Sequence, residues 1–174
     1  MRRFIFFTLK KILLMGLLFA CQRQENSSNN DLSIATQNYA VLAEKTISYQ
    51  ADFDLDAWSK MLADDVQFEL PDDTTQPSLV GRAAAIAAWQ KWRDVNKIQS
   101  LKFSRFTQIP ISSQKAMKFS DLSGVYVFSL FSGTVRYTDG RTADLKMNYC
   151  FHFNEAKMID RYYVFHDKIN FTKN

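Results

Sequence analysis

Apolar positions between Asp31 and Gln50 recur every three or four residues: Leu32, Ala35, Tyr39, Leu42, Thr46 and Tyr49. That spacing predicts one amphipathic helix with a single inward stripe, in which Thr46 is the only small polar member. "DLDAWSKML" follows, and Asp54 stands where an N-cap would open a second, short helix. "DDVQFELP" then reads as a strand that stops before Pro71. After a polar loop through Pro77, "GRAAAIAAWQKWRDV" is alanine-rich and helical, with Ile86, Trp89 and Trp92 on one side. From about Leu101 onward, β-branched and aromatic runs alternate with turn signals, so the second half is a sheet. Helices first and strands after predict an α+β domain.

The stretch from Gly124 to Asp167 carries the most information. Asp139-Gly140 is a strong two-residue hairpin turn, and it sets Thr138 opposite Arg141. Tyr149 then faces Leu130, Phe151 faces Phe128 and Phe153 faces Tyr126. Those six, with Ala143, Leu145 and Met147, form one nearly continuous apolar face. The opposite face mixes Val127, Phe131, Val135 and Tyr137 with Asp144, Lys146, Asn148, Cys150 and His152. Two readings of that mixed face stand side by side, a second subunit lying on it or a solvated surface with scattered apolar residues. The last turn, "NEAK", leaves two registers open. Pairing Phe153 with Met158 puts Asp160, Tyr162, Val164 and His166 on the face of Tyr149, whereas a three-residue loop brings in Arg161, Tyr163, Phe165 and Asp167 instead.

The first 20 residues contain Arg2, Arg3, Lys10 and Lys11, then the apolar run "ILLMGLLFA", and no acidic residue. This is the basic and apolar layout of an export signal. Nine apolar residues reach only about 14 Å as a helix, against a hydrocarbon core of about 30 Å, so the run is too short for a permanent span. "LFAC" at 18–21 resembles the bacterial lipobox, which implies lipidation at Cys21 and a membrane-anchored protein of the cell envelope. Residues 1–20 are then a signal peptide, 21–31 a polar tether and 32–174 one domain. Four of the 22 basic residues and none of the 18 acidic ones lie in that leader, so the remaining chain carries no net charge. The basic pI belongs to the leader, and nothing in the domain argues for nucleic acid. Cys150 is left as the only thiol of the domain, which excludes an internal disulfide.

The order long helix, short helix, strand, helix, curved antiparallel sheet resembles the nuclear transport factor 2-like superfamily. "DLDAWSKMLADDVQFELP" is similar to its acidic turn, short helix and strand entry, and "GRAAAIAAWQKW" to its Gly-Arg helix start. "FNEAKMIDRYYVFHD" looks like the last hairpin of the SnoaL-like branch, with Phe165 and Asp167 at its close. The resemblance covers about residues 32 to 168. It implies a cone-shaped α+β roll enclosing an apolar pocket for a small apolar ligand, and commonly a homodimer through the sheet. The family holds isomerases, dehydratases, epoxide hydrolases and cyclases beside members without catalysis, so fold alone names no activity. The steroid isomerases of the family use a helix tyrosine, an aspartate before the strand-ending proline and an acid on the sheet. Those positions fall here on Thr46, Leu70 and Tyr149. Neither threonine nor leucine serves as a base near neutral pH, which argues against proton abstraction by that route.

The candidate chemistry follows from these placements. His166 is the candidate general base, with Asp167 or Asp160 orienting it and Tyr149 and Tyr162 holding a ligand oxygen. Thr46, Trp89 and Phe128 complete the expected pocket lining. A buried histidine with satisfied tyrosines is the plainer alternative. Cys150 and His152, two apart on one strand, form a weak nucleophile-base pair. Asp64 and Asp65 fit the close of the short helix better than catalysis. Two histidines on opposite faces offer no metal site, and without a Gly-rich phosphate loop no cofactor is expected. The favoured reading is a ligand-binding envelope lipoprotein; the rival is a protein-interaction module with a filled interior.

Overall fold

The computed structural model describes residues 31–69, 79–166 and 170–172. Cys21 with the leader and tether, Leu70 and Asp167 lie outside them. Among the described residues, three helices and a single sheet are built in the expected order, apart from a short strand ahead of the first helix. The long helix α1 spans Gln37–Asp52. It ends where Phe53 turns into the left-handed region at φ 54°, leaving Asp54 to cap the short helix α2, Leu55–Ser59, by accepting from the Ala57 amide at 3.0 Å. Helix α3 spans Arg82–Val95.

The inward line of α1 differs from the sequence stripe. Leu32 sits in a short exposed strand, β1 (Leu32–Ile34), and Ala35 also precedes the helix. The fully buried residues are Ala40, Ala43, Thr46, Ile47, Gln50 and Ala51, with Tyr39, Leu42 and Tyr49 on the flanks. Small alanines let the helix backbone approach the sheet, and that packing gain outweighs the larger side chains' claim on the centre of the stripe.

The remaining strands are β2 (Leu62–Glu69), β3 (Leu79–Val80), β4 (Ile98–Ser113), β5 (Gly124–Tyr137), β6 (Thr142–Phe153), β7 (Ile159–His166) and β8 (Asn170–Thr172). They run in the order β1-β4-β5-β6-β7-β2-β3, with β8 beside β6. Every pairing is antiparallel except β2 with β7. A bulge between Ser104 and Thr107, with Arg105 at φ 58°, bends β4 and places both Phe103 and Phe106 against Phe131. Asp64, read as closing the short helix, lies in β2 and pairs with Arg82 at 2.9 Å, and Asp65 follows it in the same strand.

The Asp139-Gly140 turn forms, but with three loop residues instead of two. Tyr137 and Arg141 close it, Gly140 takes φ 86°, and the Thr138 amide donates to the Lys97 carbonyl, which draws Thr138 out of the ladder. The register therefore moves by one: Tyr149 pairs with Ser129, Phe151 with Val127 and Phe153 with Val125. A one-residue slip exchanges the faces of one strand while leaving its partner unchanged. Strand β6 keeps its expected faces. In β5 the inner face is Val127, Phe131 and Val135, and Tyr126, Phe128 and Leu130 turn outward, which corrects the expected pocket role of Phe128.

The outer face is covered in part by the chain itself. Met117 and Leu122, from the segment between β4 and β5, pack on a buried trio of Tyr126, Cys150 and Tyr163, with Phe128 partly buried beside it. Phe119 of the same segment sets its ring edge-on to Tyr126 and Tyr163. The inner face joins α1 and α2 in the main core, around Ile47, Trp58, Val66, Phe151 and Tyr162.

Candidate functional site

Between the helices and the inner face lies a cavity of about 350 Å³. Its wall takes Gln50 from α1, Trp58 from α2, Trp89 and Trp92 from α3, and Tyr149 and Tyr162 from the sheet, the rest being alanine, leucine, valine, methionine and phenylalanine side chains. Among the described lining residues none carries a charge. Aromatic contacts stiffen the wall: Trp89 stacks on Trp92 at 4.6 Å, Phe68 on Tyr162 at 4.3 Å, and Trp58 meets Phe68 edge-on. Alanine at 85 and 88 leaves the room; larger residues on that face of α3 would fill it.

The polar groups collect at one end. The Tyr162 hydroxyl donates to Gln50 Oε1 at 2.5 Å, and the Trp89 indole N–H donates to the Gln50 backbone carbonyl at 3.2 Å. Tyr149 and Tyr162 lie side by side, ring centroids 5.1 Å apart. Burial pushes the ionisation of both phenols well above the ordinary tyrosine value, so they stay protonated and neutral at any physiological pH.

The expected pocket is therefore present with a changed membership. Trp89, Tyr149 and Tyr162 line it together. Thr46 is buried but turns its hydroxyl back to the Leu42 carbonyl at 2.9 Å and does not reach the cavity. A threonine inside a helix satisfies itself this way when no outside partner competes. Phe128 is on the outer face. His166, the last residue of β7, pairs through its backbone with Met147 of β6.

Asp160 also leaves the pocket, because of a second bulge. Phe153 pairs with Ile159 but His152 pairs with Arg161, so Asp160 is the extra residue and turns to the outer side. Its carboxylate meets His152 Nδ1 at 2.5 Å, while His152 Nε2 lies 3.0 Å from the Ser123 carbonyl. A carbonyl only accepts, so Nε2 carries a proton. A carboxylate-oriented imidazole is half of a catalytic triad, but here a backbone oxygen occupies the place a nucleophile would need. Cys150, the nucleophile suggested beside it, is sealed in the core and its thiol is pushed up to about 12 by burial, which leaves it inert.

Sequence reasoning missed Gln50 as a wall residue and the His152–Asp160 pair. Gln50 could have been found: it lies three and seven residues beyond Ile47 and Ala43 on the helix, a polar side chain on an apolar line. The pair depends on a bulge that no spacing rule reveals.

No protein-family model matches the sequence, and no curated protein does. Solved structures do. The Δ5-3-ketosteroid isomerase from Mycobacterium sp. is 17% identical with a TM-score of 0.57, over 77% of this chain and 98% of that one. A Mycobacterium tuberculosis protein in complex with estradiol-17β-hemisuccinate is 14% identical with a TM-score of 0.52, over 74% and 93%. A Burkholderia pseudomallei NTF2-like protein of unknown function is 18% identical with a TM-score of 0.56, over 76% and 92%. The fold is nuclear transport factor 2-like. At such identity the likeness is one of fold, and side-chain roles do not pass across it. Of the three positions compared with the steroid isomerases, Tyr149 alone offers this nuclear transport factor 2-like cavity a polar group among the described residues.

Proposed function

We propose that this domain binds a small, largely apolar molecule in the cavity between its helices and its sheet, and that a lipid on Cys21 holds it at the bacterial cell envelope. The observation that carries the binding reading is a cavity of about 350 Å³ with an apolar wall and its phenol and amide groups gathered at one end. Ligand sites have this composition, a large apolar surface with a few convergent polar groups. The Mycobacterium tuberculosis protein of the same fold, solved with estradiol-17β-hemisuccinate, supports it as a precedent for the architecture. The reading needs no catalysis, and His166 with Asp167 is the pair through which turnover would be added.

All three tryptophans of the chain line the cavity, so their emission reports its occupancy. Titration with rigid apolar ring compounds is expected to change that emission saturably and to raise the melting temperature. If no compound of this class does either, the binding reading fails. The rival reading, a protein-interaction module, draws on Ile109, Phe119 and Leu130, which stand exposed outside the core. For the envelope reading, labelled fatty acid should enter the wild-type protein and not Cys21→Ala.

A further inference from the structure

This inference rests on the cavity being a ligand site and concerns what its wall asks of an occupant. The Asp54 cap opens helix α2 so that Trp58, near its end, turns inward, where it is 1% exposed and forms part of the cavity wall. A phenylalanine there would make the wall just as apolar; the indole adds one N–H, which can only donate. Buried tryptophans usually find a partner for that proton. Nε1 of Trp58 has none among the described residues. The rings beside it do not supply one: Phe68 meets Trp58 edge-on, Trp89 lies tilted at 6.1 Å, and ring faces are weak acceptors. By contrast, the Trp89 indole on the same wall donates to the Gln50 backbone carbonyl, and Tyr162 donates to the Gln50 side chain.

An unmet buried donor is a standing cost to the protein, and it is recovered when an acceptor arrives. The described lining is uncharged, so an ionised ligand would lose its hydration without meeting a counter-charge. A hydroxyl group brings a proton that needs an acceptor of its own, whereas a carbonyl or ether oxygen brings only what Trp58 lacks. We infer that Trp58 is a specificity residue of the cavity: the site takes an uncharged ring compound bearing a carbonyl or ether oxygen, and that oxygen accepts the Trp58 indole proton. The apolar wall holds the rest of the molecule, and the N–H sets its orientation.

The test is a matched pair, 1-tetralone and tetralin, which share a ten-carbon ring skeleton and differ in one carbonyl oxygen. In nuclear magnetic resonance spectra of the nitrogen-labelled full chain, tetralone should move the Trp58 indole proton signal downfield, and tetralin should not. Contacts with Phe68 identify that signal without any variant. In equilibrium titrations, Trp58→Phe should lower the ratio of tetralone to tetralin affinity about tenfold. Lost packing alone would weaken both compounds alike and leave the ratio unchanged. A Trp58 signal that stays in place while tetralone saturates the cavity, as read from the Trp89 and Trp92 signals, would overturn this inference and leave the cavity a ligand site. A ratio that survives Trp58→Phe would do the same. Failure of both compounds to bind would overturn the ligand reading as well. Should Trp58→Phe not fold, the wild-type signal decides by itself.

Discussion

Tyr149 and Cys150 are neighbours in β6, both buried, and they sit in two different kinds of interior. Tyr149 faces a cavity whose described lining is uncharged and whose polar groups are phenols, indole N–H groups and one amide. Cys150 faces a closed layer, where the chain's own segment between β4 and β5 packs on the sheet and a buried imidazole is fixed by a carboxylate and a backbone carbonyl. Space and ionisable chemistry have been separated onto opposite sides of one sheet. The lesson is that a histidine-carboxylate pair at ideal distance is no sign of an active site when nothing can reach it. A cavity with neutral polar groups, by contrast, is suited to recognition first.

The strongest way to break the contrast is to open the filled part of the inner face. Phe151→Ala removes a fully buried ring that meets Tyr162 edge-on, and should lower unfolding free energy by about 4 kcal/mol in urea denaturation. Phe128→Ala, on the outer face and only partly buried, should cost less than half as much. Comparable losses would mean that the two faces are not packed differently.

Next in size is the outer pair. The side chains of His152 and Asp160 are 7% and 18% exposed, so Asp160→Ala leaves an imidazole buried against a carbonyl without its carboxylate. It should destabilise the fold by about 3 kcal/mol while leaving ligand affinity at the cavity unchanged. A protein that keeps its stability but loses binding would place the pair in the site after all.

The smallest effect is alkaline. The buried Cys150 thiol is held up to about 12 from an ordinary value of 9.0, so between those limits the folded chain keeps a proton that the unfolded chain loses. Stability contributed by the protonated thiol is complete below pH 9 and falls as pH rises, by about 1 kcal/mol at pH 10. Urea midpoints from pH 8 to 10 measure it, and Cys150→Ala should flatten the slope. The same burial makes the thiol inert to alkylating reagents at pH 8 until the protein unfolds.

Much of the architecture was legible along the chain because it rests on local chemistry. The Asp54 cap, the alanine-rich α3, the strand before Pro71 and the inward alternation of β6 from Ala143 to Phe153 each follow from a few adjacent residues. Among the pocket residues, Trp89, Tyr149 and Tyr162 could be placed because they fall on such elements. The errors at Phe128 and Asp160 came from single-residue shifts, at the turn around Asp139-Gly140 and at the bulge beside Asp160, whereas those at Thr46, Leu32 and Asp64 came from local bonding and element boundaries.

The sequence by itself determined the order of helices and strands, the zero net charge of residues 21–174 and which residues of β6 look inward, since periodicity and composition are properties of neighbours. Only the tertiary structure decided that Phe128 and Asp160 turn outward, that Thr46 satisfies itself and that Gln50 takes the Tyr162 hydroxyl. The reason is that a strand's faces exchange with one added residue, and whether that residue is added depends on distant partners: the Lys97 carbonyl that takes the Thr138 amide, and the His152 ring that takes the Asp160 carboxylate.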